Sequence, residues 1–268
     1  MKKNNEYTKE HLLYLKNLRN KNIFINVVRF AVLALLILIW ELSATFEWVN
    51  PFITSSPSRI AKTIADLYTS GDLFYHVGTT LWETLAGFAI AVILGYSVAL
   101  LLWWSEAFRK IAEPYIVVLN ALPKIALGPL IIIWCGTGSE AIVFMTVLIG
   151  LIVAILNMLN GFMATDGNKI LLLKSMGATK LQVLTKLVIP SSLPSFISML
   201  KINVGMAWIG SIMGEYIVSK AGIGYLIVYG GQVFKLDLVM SAVIILCILA
   251  AIMYALVALL EKIVIKNR

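Results

Sequence analysis

Runs of twenty or so predominantly apolar residues recur along this chain, and nothing else in it constrains folding as strongly. At about 1.5 Å per residue, a helix of about 20 residues crosses a hydrocarbon core about 30 Å thick. Such runs read at about 24–46, 80–104, 114–134, 140–162, 193–216 and 238–260. No water reaches the bilayer core, so each backbone N–H and C=O there must be satisfied within its own segment, and the runs predict an all-α, polytopic fold with six transmembrane helices. An even number of crossings puts both termini on one side.

Composition removes the soluble alternatives. With 60% hydrophobic and 13% charged residues and a mean hydropathy of +0.91, the chain has too little polar surface to coat a soluble globule of its size. A net charge of +8 invites a nucleic-acid reading, but the Lys and Arg residues flank apolar runs rather than clustering with stacking aromatics on a wettable face. Trp40, Trp48, Trp82, Trp103 and Trp104 fall near the ends of apolar runs, as interfacial belts require. Cys135 and Cys247 lack metal-ligand spacing and read as small hydrophobes, while His11 and His76 read as solvated surface. No catalytic set is visible, and no phosphate-cradling Gly-x-x-x-x-Gly-Lys-Ser/Thr pattern occurs. If ATP drives this chain's work, another chain must bind it.

Residues 1–22 form a basic hydrophilic segment, too long for the n-region of an ordinary signal peptide, and residues 23–268 form the membrane domain. Orientation follows from the positive-inside bias. A cytoplasmic N terminus places Lys2, Lys3, Lys9, Lys16, Arg19, Lys21, Arg109, Lys110, Lys169, Lys174, Lys180, Lys186, Lys262, Lys266 and Arg268 inside. Only Arg59, Lys62, Lys220 and Lys235 fall outside. The outer connection over 47–79, with its Thr54-to-Arg59 turn, reads as an exposed loop carrying one short surface helix.

One polar interval lies between the apolar runs on the inner side, a loop over about 164–190. Asn168 can cap a short helix bearing Leu171, Leu172, Lys174, Ser175 and Met176, and Gly177 supplies the left-handed turn that ends it. After Ala178 a second helix runs from Thr179 to about Val188, and Pro190 interrupts its ladder. The spacing from Gly177-Ala178 to Leu187-Val188-Ile189-Pro190 resembles the cytoplasmic "EAA" loop of bacterial ABC importer permeases, which docks into a cleft on the ATPase subunit. That family usually carries Glu-Ala-Ala where this chain has Leu171-Leu172-Leu173, so the acidic contact often made there does not carry over.

Two further blocks resemble the same family, in its nitrate, sulfonate and taurine branch. Leu122-Pro123-Lys124 through Gly128-Pro129-Leu130 looks like its proline-bracketed segment, and Gly222-Ile223-Gly224-Tyr225 looks like its Gly-Leu-Gly-Tyr turn, where glycines let a short re-entrant helix fold back near the outer face. Lys124 at a helix centre costs about 2.5 to 3.5 kcal/mol, nearly cancelling what roughly ten neighbouring Leu, Ile and Val residues together return at about 0.3 to 0.6 kcal/mol each. The segment therefore needs neighbours, with Pro123 and Pro129 breaking it and Lys124 facing the interior or an aqueous path. Pro123, Lys124, Pro129, Trp208, Ser211 and Glu215 are candidate path residues, Glu215 as an interfacial or gate-lining carboxylate at the outer edge, and Gly222, Gly224 and Tyr225 a candidate outer gate turn. The stripe Gly87, Ala91, Gly95, Ala99, with Thr146, Gly150, Ala154 and Ala207, Gly210, Ser211, Gly214 on later spans, reads as close helix packing.

The resemblance implies a type I ABC importer permease in the bacterial cell membrane: two copies, as a homodimer, around a central path, two ATP-binding subunits on the elbows, and a solute-binding protein delivering the ligand. No cofactor is expected on this chain. The substrate implied is a small polar or anionic organic solute of the sulfonate, taurine or nitrate kind; a thiamine-precursor-like pyrimidine or other heterocycle is the alternative. A stand-alone secondary transporter would need paired intramembrane carboxylates or histidines and an inverted repeat, which this reading does not find.

Overall fold

In a computed structural model residues 9–266 are described, and they are helical almost throughout, with no strand among them. Residues 1–8 and 267–268, including Lys2, Lys3 and Arg268, lie outside the described residues. The chain divides into two units, Met1–Lys62 and Thr63–Arg268.

In the first unit α1 runs over Lys9–Thr45, so the basic segment from Lys9 onward is helical and continuous with the first apolar run. Neither Gly nor Pro interrupts it before Pro51. The outer connection is more ordered than an exposed loop. Asn50 accepts a bond from Phe52 N (3.0 Å) to start α2 (Pro51–Thr54), and Pro57 opens α3 (Pro57–Ser70). Glu41 of α1 accepts from Ser58 N at 3.0 Å and from Ser58 Oγ at 2.7 Å, filling the orphan donors of the first turn of α3.

The second unit is built on α4 (Asp72–Trp104), α7 (Ser139–Met163) and α11 (Leu193–Val218). The small-residue stripes pack as read: Gly87, Ala91, Gly95 and Ala99 are buried, as are Thr146, Gly150, Ala154, Ala207, Gly210, Ser211 and Gly214. At Gly210 a Cβ would stand 2.5 Å from the Cα of Thr146, so only glycine permits the backbones of α11 and α7 to approach this closely. In lipid, where helices gain no hydrophobic free energy by associating, such van der Waals contact holds the bundle. A second core joins α12 (Ile223–Gln232) and α13 (Leu236–Lys266) through Ile223, Leu226, Leu238, Ala242 and Ile245.

The third apolar run is not one straight helix. It comprises α5 (Glu106–Ala121), a 3₁₀ turn (Lys124–Leu127) and α6 (Gly128–Cys135), bent by 85° at Leu122–Pro123. Pro123 lacks the N–H a continuing helix needs, and its ring forces Leu122 into an extended conformation (ψ 131°). Five described helices are long and apolar enough to cross a membrane, and the count is six where the bent pair is taken as one span.

Candidate functional site

At one end of the second unit the elbow forms two short helices, α8 (Gly167–Ser175) and α9 (Lys180–Val183), meeting at Gly177 with φ +81°. The cap of α8 is Asp166, which accepts from Asn168 N at 2.9 Å, and not Asn168 itself; the helix starts two residues earlier than the sequence reading placed it. Thr179 caps α9 in a reciprocal box, its hydroxyl accepting from Gln182 N (3.3 Å) while Gln182 Oε1 accepts from Thr179 N (2.8 Å). Beyond α9 the ladder widens into a π turn (Leu184–Val188) before α10 (Ile189–Ser191), so Pro190 lies inside a short helical continuation rather than at a clean stop. Val183, Leu184 and Val188 anchor the elbow in the core with Met158 and Phe162, and Leu187 and Pro190 are half-buried beside them. Leu171, Leu172 and Met176 instead stand 64%, 61% and 75% exposed, with Lys174, Ser175 and Gly177 also at the surface. The elbow is thus an apolar ridge on a rigidly capped support.

At the opposite end of the same helices a polar cluster is sealed from solvent. Its centre is the N-terminus of α12, whose first backbone donors lack intrahelical partners. Gly222 N donates to His76 Nδ1 (3.0 Å), Ile223 N to Thr80 Oγ1 (2.8 Å) and Gly224 N to Glu215 Oε2 (2.5 Å). Three side chains from α4 and α11 therefore replace the missing carbonyls. Gly222 adopts φ +106°, and a Cβ at Gly224 would stand 2.8 Å from Glu215 Oε2. Glycine at both positions is what lets the turn close on the carboxylate. Glu83 is the neighbour of Glu215, and both are buried to 1% exposure. Below them Thr84 Oγ1 donates to Ser211 Oγ at 2.7 Å.

One feature of this cluster corrects the sequence reading. His76 is not solvated surface: it is half-buried within α4, bonded to Gly222 and stacked on Tyr225 with ring centroids 6.0 Å apart. Glu215, in the last turn of α11, is packed inside the bundle. Thr80 and Glu83 were missed altogether, although a carboxylate inside an apolar run was a visible signal. Buried carboxylates do occur as a pair here, Glu83 beside Glu215, and of the two Glu215 accepts from a backbone N–H of α12.

The candidate path residues are not brought together. Trp208, Ser211 and Glu215 occupy the side of α11 that packs into its own subunit, whereas Pro123 and Pro129 are exposed on the bent segment. Lys124, half-buried, donates to the carbonyl of Asn120 at 3.1 Å, which ties the bend together across Pro123. Among the described residues no group of three or more His, Cys, Asp or Glu side chains is placed to hold a metal ion. Cys135 and Cys247 are free thiols.

A glycine-packed bundle of long apolar helices, a broken crossing and a capped apolar elbow together define a multi-pass transport permease. The chain belongs to the family described as binding-protein-dependent transport system inner membrane component, which matches residues 87–266. It is similar to the formylaminopyrimidine transport permease protein ThiX of Halalkalibacterium halodurans, 35% identical over 71% of this chain and 76% of that one. It is also similar to the putative aliphatic sulfonates transport permease protein SsuC of Bacillus subtilis, 25% identical over 88% of this chain and 85% of that one. Its fold matches a chain of a bacterial alginate ABC transporter solved with its pentasaccharide-bound periplasmic protein (TM-score 0.62, 15% identity, 90% and 96% covered) and one of the inward-facing MetNI methionine transporter (0.61, 17%, 70% and 96%). The chain is a bacterial inner-membrane permease of the ABC importer class, a transport component and not an enzyme, working with a binding protein and an ATPase.

Proposed function

We propose that this permease forms the path for a small polar or anionic organic solute of the sulfonate or taurine kind, handed over by its solute-binding protein. Similarity to SsuC and to the taurine permease TauC of Escherichia coli (24% identical over 81% of both chains) supports that substrate class. Two copies pair around the path with their termini in the cytoplasm, Pro123, Lys124 and Pro129 facing it and Trp208, Ser211 and Glu215 shaping it from behind. ATP and Mg are held by the partner ATPases, and the elbow transmits their motion. ATP binding closes the ATPase pair, the elbows move with it, and the bundles rock between inward- and outward-facing states. Gly222, Gly224 and Tyr225 form the gate turn on the outer side.

The single observation that carries the coupling role is the exposed ridge Leu171, Leu172 and Met176 on doubly capped helices, since apolar side chains held out to water on a fixed support call for a partner surface. A second substrate reading, a formylaminopyrimidine-like heterocycle, is favoured by the 35% identity to ThiX. The test is ATPase activity of the reconstituted permease–ATPase complex with its binding protein and a panel of sulfonates, taurine, nitrate and aminopyrimidines. Stimulation by one loaded binding protein names the substrate; uptake by the permease alone on an ion gradient overturns the importer mechanism.

A further inference from the structure

Beside the elbow, where α4 ends and α5 begins, lies a cavity of about 380 Å³ that the transport mechanism does not use. Trp103, Glu106, Arg109, Met163, Lys174 and Lys180 line most of it. Three cations and one carboxylate thus face a single space. The single carboxylate is shared, for Lys110 Nζ lies 2.9 Å from Glu106 Oε1 while the charges of Arg109 and Lys180 also act on it, which leaves the cations in excess. The ion pairs Lys110–Glu106 and Lys201–Glu261 do not involve Arg109, Lys174 or Lys180.

The cations are poorly matched by what they touch. Arg109 Nη1 donates to the thioether of Met163 at 2.9 Å, a weak acceptor for a group that carries five donors in a planar fork. Lys180 donates to the carbonyl oxygen of Trp104 and lies 5.3 Å and 6.0 Å from the ring centroids of Trp104 and Trp103. It is thereby held at the mouth of the cavity with donors to spare. A planar guanidinium and two ammonium groups around one space match a phosphate, whose oxygens accept from all of them.

We propose that this cavity binds the phosphate of an anionic phospholipid headgroup. The choice of a lipid over a free anion rests on what adjoins the cavity. Trp103 and Trp104 end an apolar crossing, which sets the cavity at headgroup level. From there α5 carries Phe108, Ile111, Tyr115 and Val118 at intervals of three and four residues, all exposed, at 48%, 64%, 69% and 64%. That stripe leads away from Arg109 along the helix and gives acyl chains an apolar track. Basic pockets at membrane helix ends hold anionic headgroups by this combination.

The test uses the purified permease–ATPase complex in nanodiscs of phosphatidylcholine, alone or mixed with phosphatidylglycerol. Retained lipid is read by native mass spectrometry for the wild type, for the double variant Arg109→Gln/Lys180→Gln, and for Arg109→Lys. The wild type retains phosphatidylglycerol, the double variant holds it about tenfold less tightly or worse, and Arg109→Lys falls between them. Thermal unfolding of the double variant in phosphatidylcholine alone checks that it folds. Inorganic phosphate titrated into phosphatidylcholine discs gives the other source: if phosphate changes the fluorescence of Trp103 and Trp104 in the wild type while phosphatidylglycerol is not retained, the ligand is a free anion and the lipid assignment falls. Equal lipid retention by wild type and double variant overturns the site. So does loss of the ATPase subunit from the double variant in phosphatidylcholine alone, because the cations then serve the protein partner. These readouts involve no transport, so they stand or fall separately from the substrate.

Discussion

The two ends of the α4–α7–α11 bundle invert the usual distribution of side chains. At the elbow Leu171, Leu172 and Met176 are turned out to solvent, and the side-chain bonds that cap its two helices are local, spanning two or three residues. At the α12 end Glu83, Glu215, Thr80 and Thr84 are buried, and two of the three bonds that start α12 come from α4, 146 and 143 residues away. The contrast separates two jobs. An exposed apolar ridge leaves its free energy to be realised against another chain, whereas a buried polar cluster spends its bonding within the subunit, fixing where a short helix begins. The elbow should therefore tolerate mutation in stability and fail in association, and the α12 cap should do the reverse.

The largest effect is expected at the ridge. Burying a Leu-sized side chain contributes about 1.5 to 3 kcal/mol, so Leu171→Asp/Leu172→Asp should weaken ATPase association by about 3 to 6 kcal/mol, a hundredfold or more. Co-purification measures this directly. Because both positions are exposed, the unfolding temperature of the permease itself should hold. Wild-type association by the double variant would remove the ridge from the docking surface.

Next comes Glu215→Ala. It orphans the Gly224 N–H in a site without access to water, which costs about 1 to 3 kcal/mol. Thermal unfolding in detergent should fall accordingly, and Glu215→Gln should recover most of the loss because an amide oxygen still accepts from Gly224. If alanine melts with the wild type, the cap contributes nothing and the contrast between the two ends collapses.

Gly177→Val tests the elbow's geometry rather than its surface. A non-glycine residue at φ +81° costs about 1 to 2 kcal/mol, more with a branched Cβ. Space is not the obstacle, since a Cβ there meets nothing within 4 Å. The expected result is an elbow that re-angles: ATP hydrolysis continues, substrate uptake per ATP drops, and the melting temperature changes little. Intact coupling would show that the left-handed turn is incidental.

Local signals made much of this legible. The apolar runs marked the crossings, the small-residue stripes marked which faces touch, and Gly177 with Thr179 marked the elbow. Residues whose role depends on a partner far along the chain stayed hidden. Gly222, Ile223 and Gly224 read as a glycine turn that lets a short helix fold back, but that the N–H groups of Gly222 and Ile223 are filled by His76 and Thr80 from 146 and 143 residues away was not visible. His76 read as surface because α4 was started at Thr80; its true start at Asp72 puts His76 on the helix face that meets Tyr225. The bend at Pro123 was expected as a break, but its 85° magnitude depends on Leu122 going extended and Lys124 bonding Asn120, which no periodicity encodes.

The smallest effect should come from Thr179→Ala. Losing the hydroxyl that accepts from Gln182 N costs about 1 kcal/mol at an exposed N-cap, and Thr179→Ser should restore it. The core contacts of Val183, Leu184 and Val188 keep the far end of α9 anchored, so global unfolding should scarcely move. The loss should appear locally, as faster amide hydrogen exchange over residues 179–183 and little change at α8. Uniform protection in the alanine variant would mean that core packing alone holds the elbow, leaving the cap to set only its entry angle. A rise in exchange extending through α8 would mean instead that the two short helices open as one unit, and that ATPase docking has to order both at once.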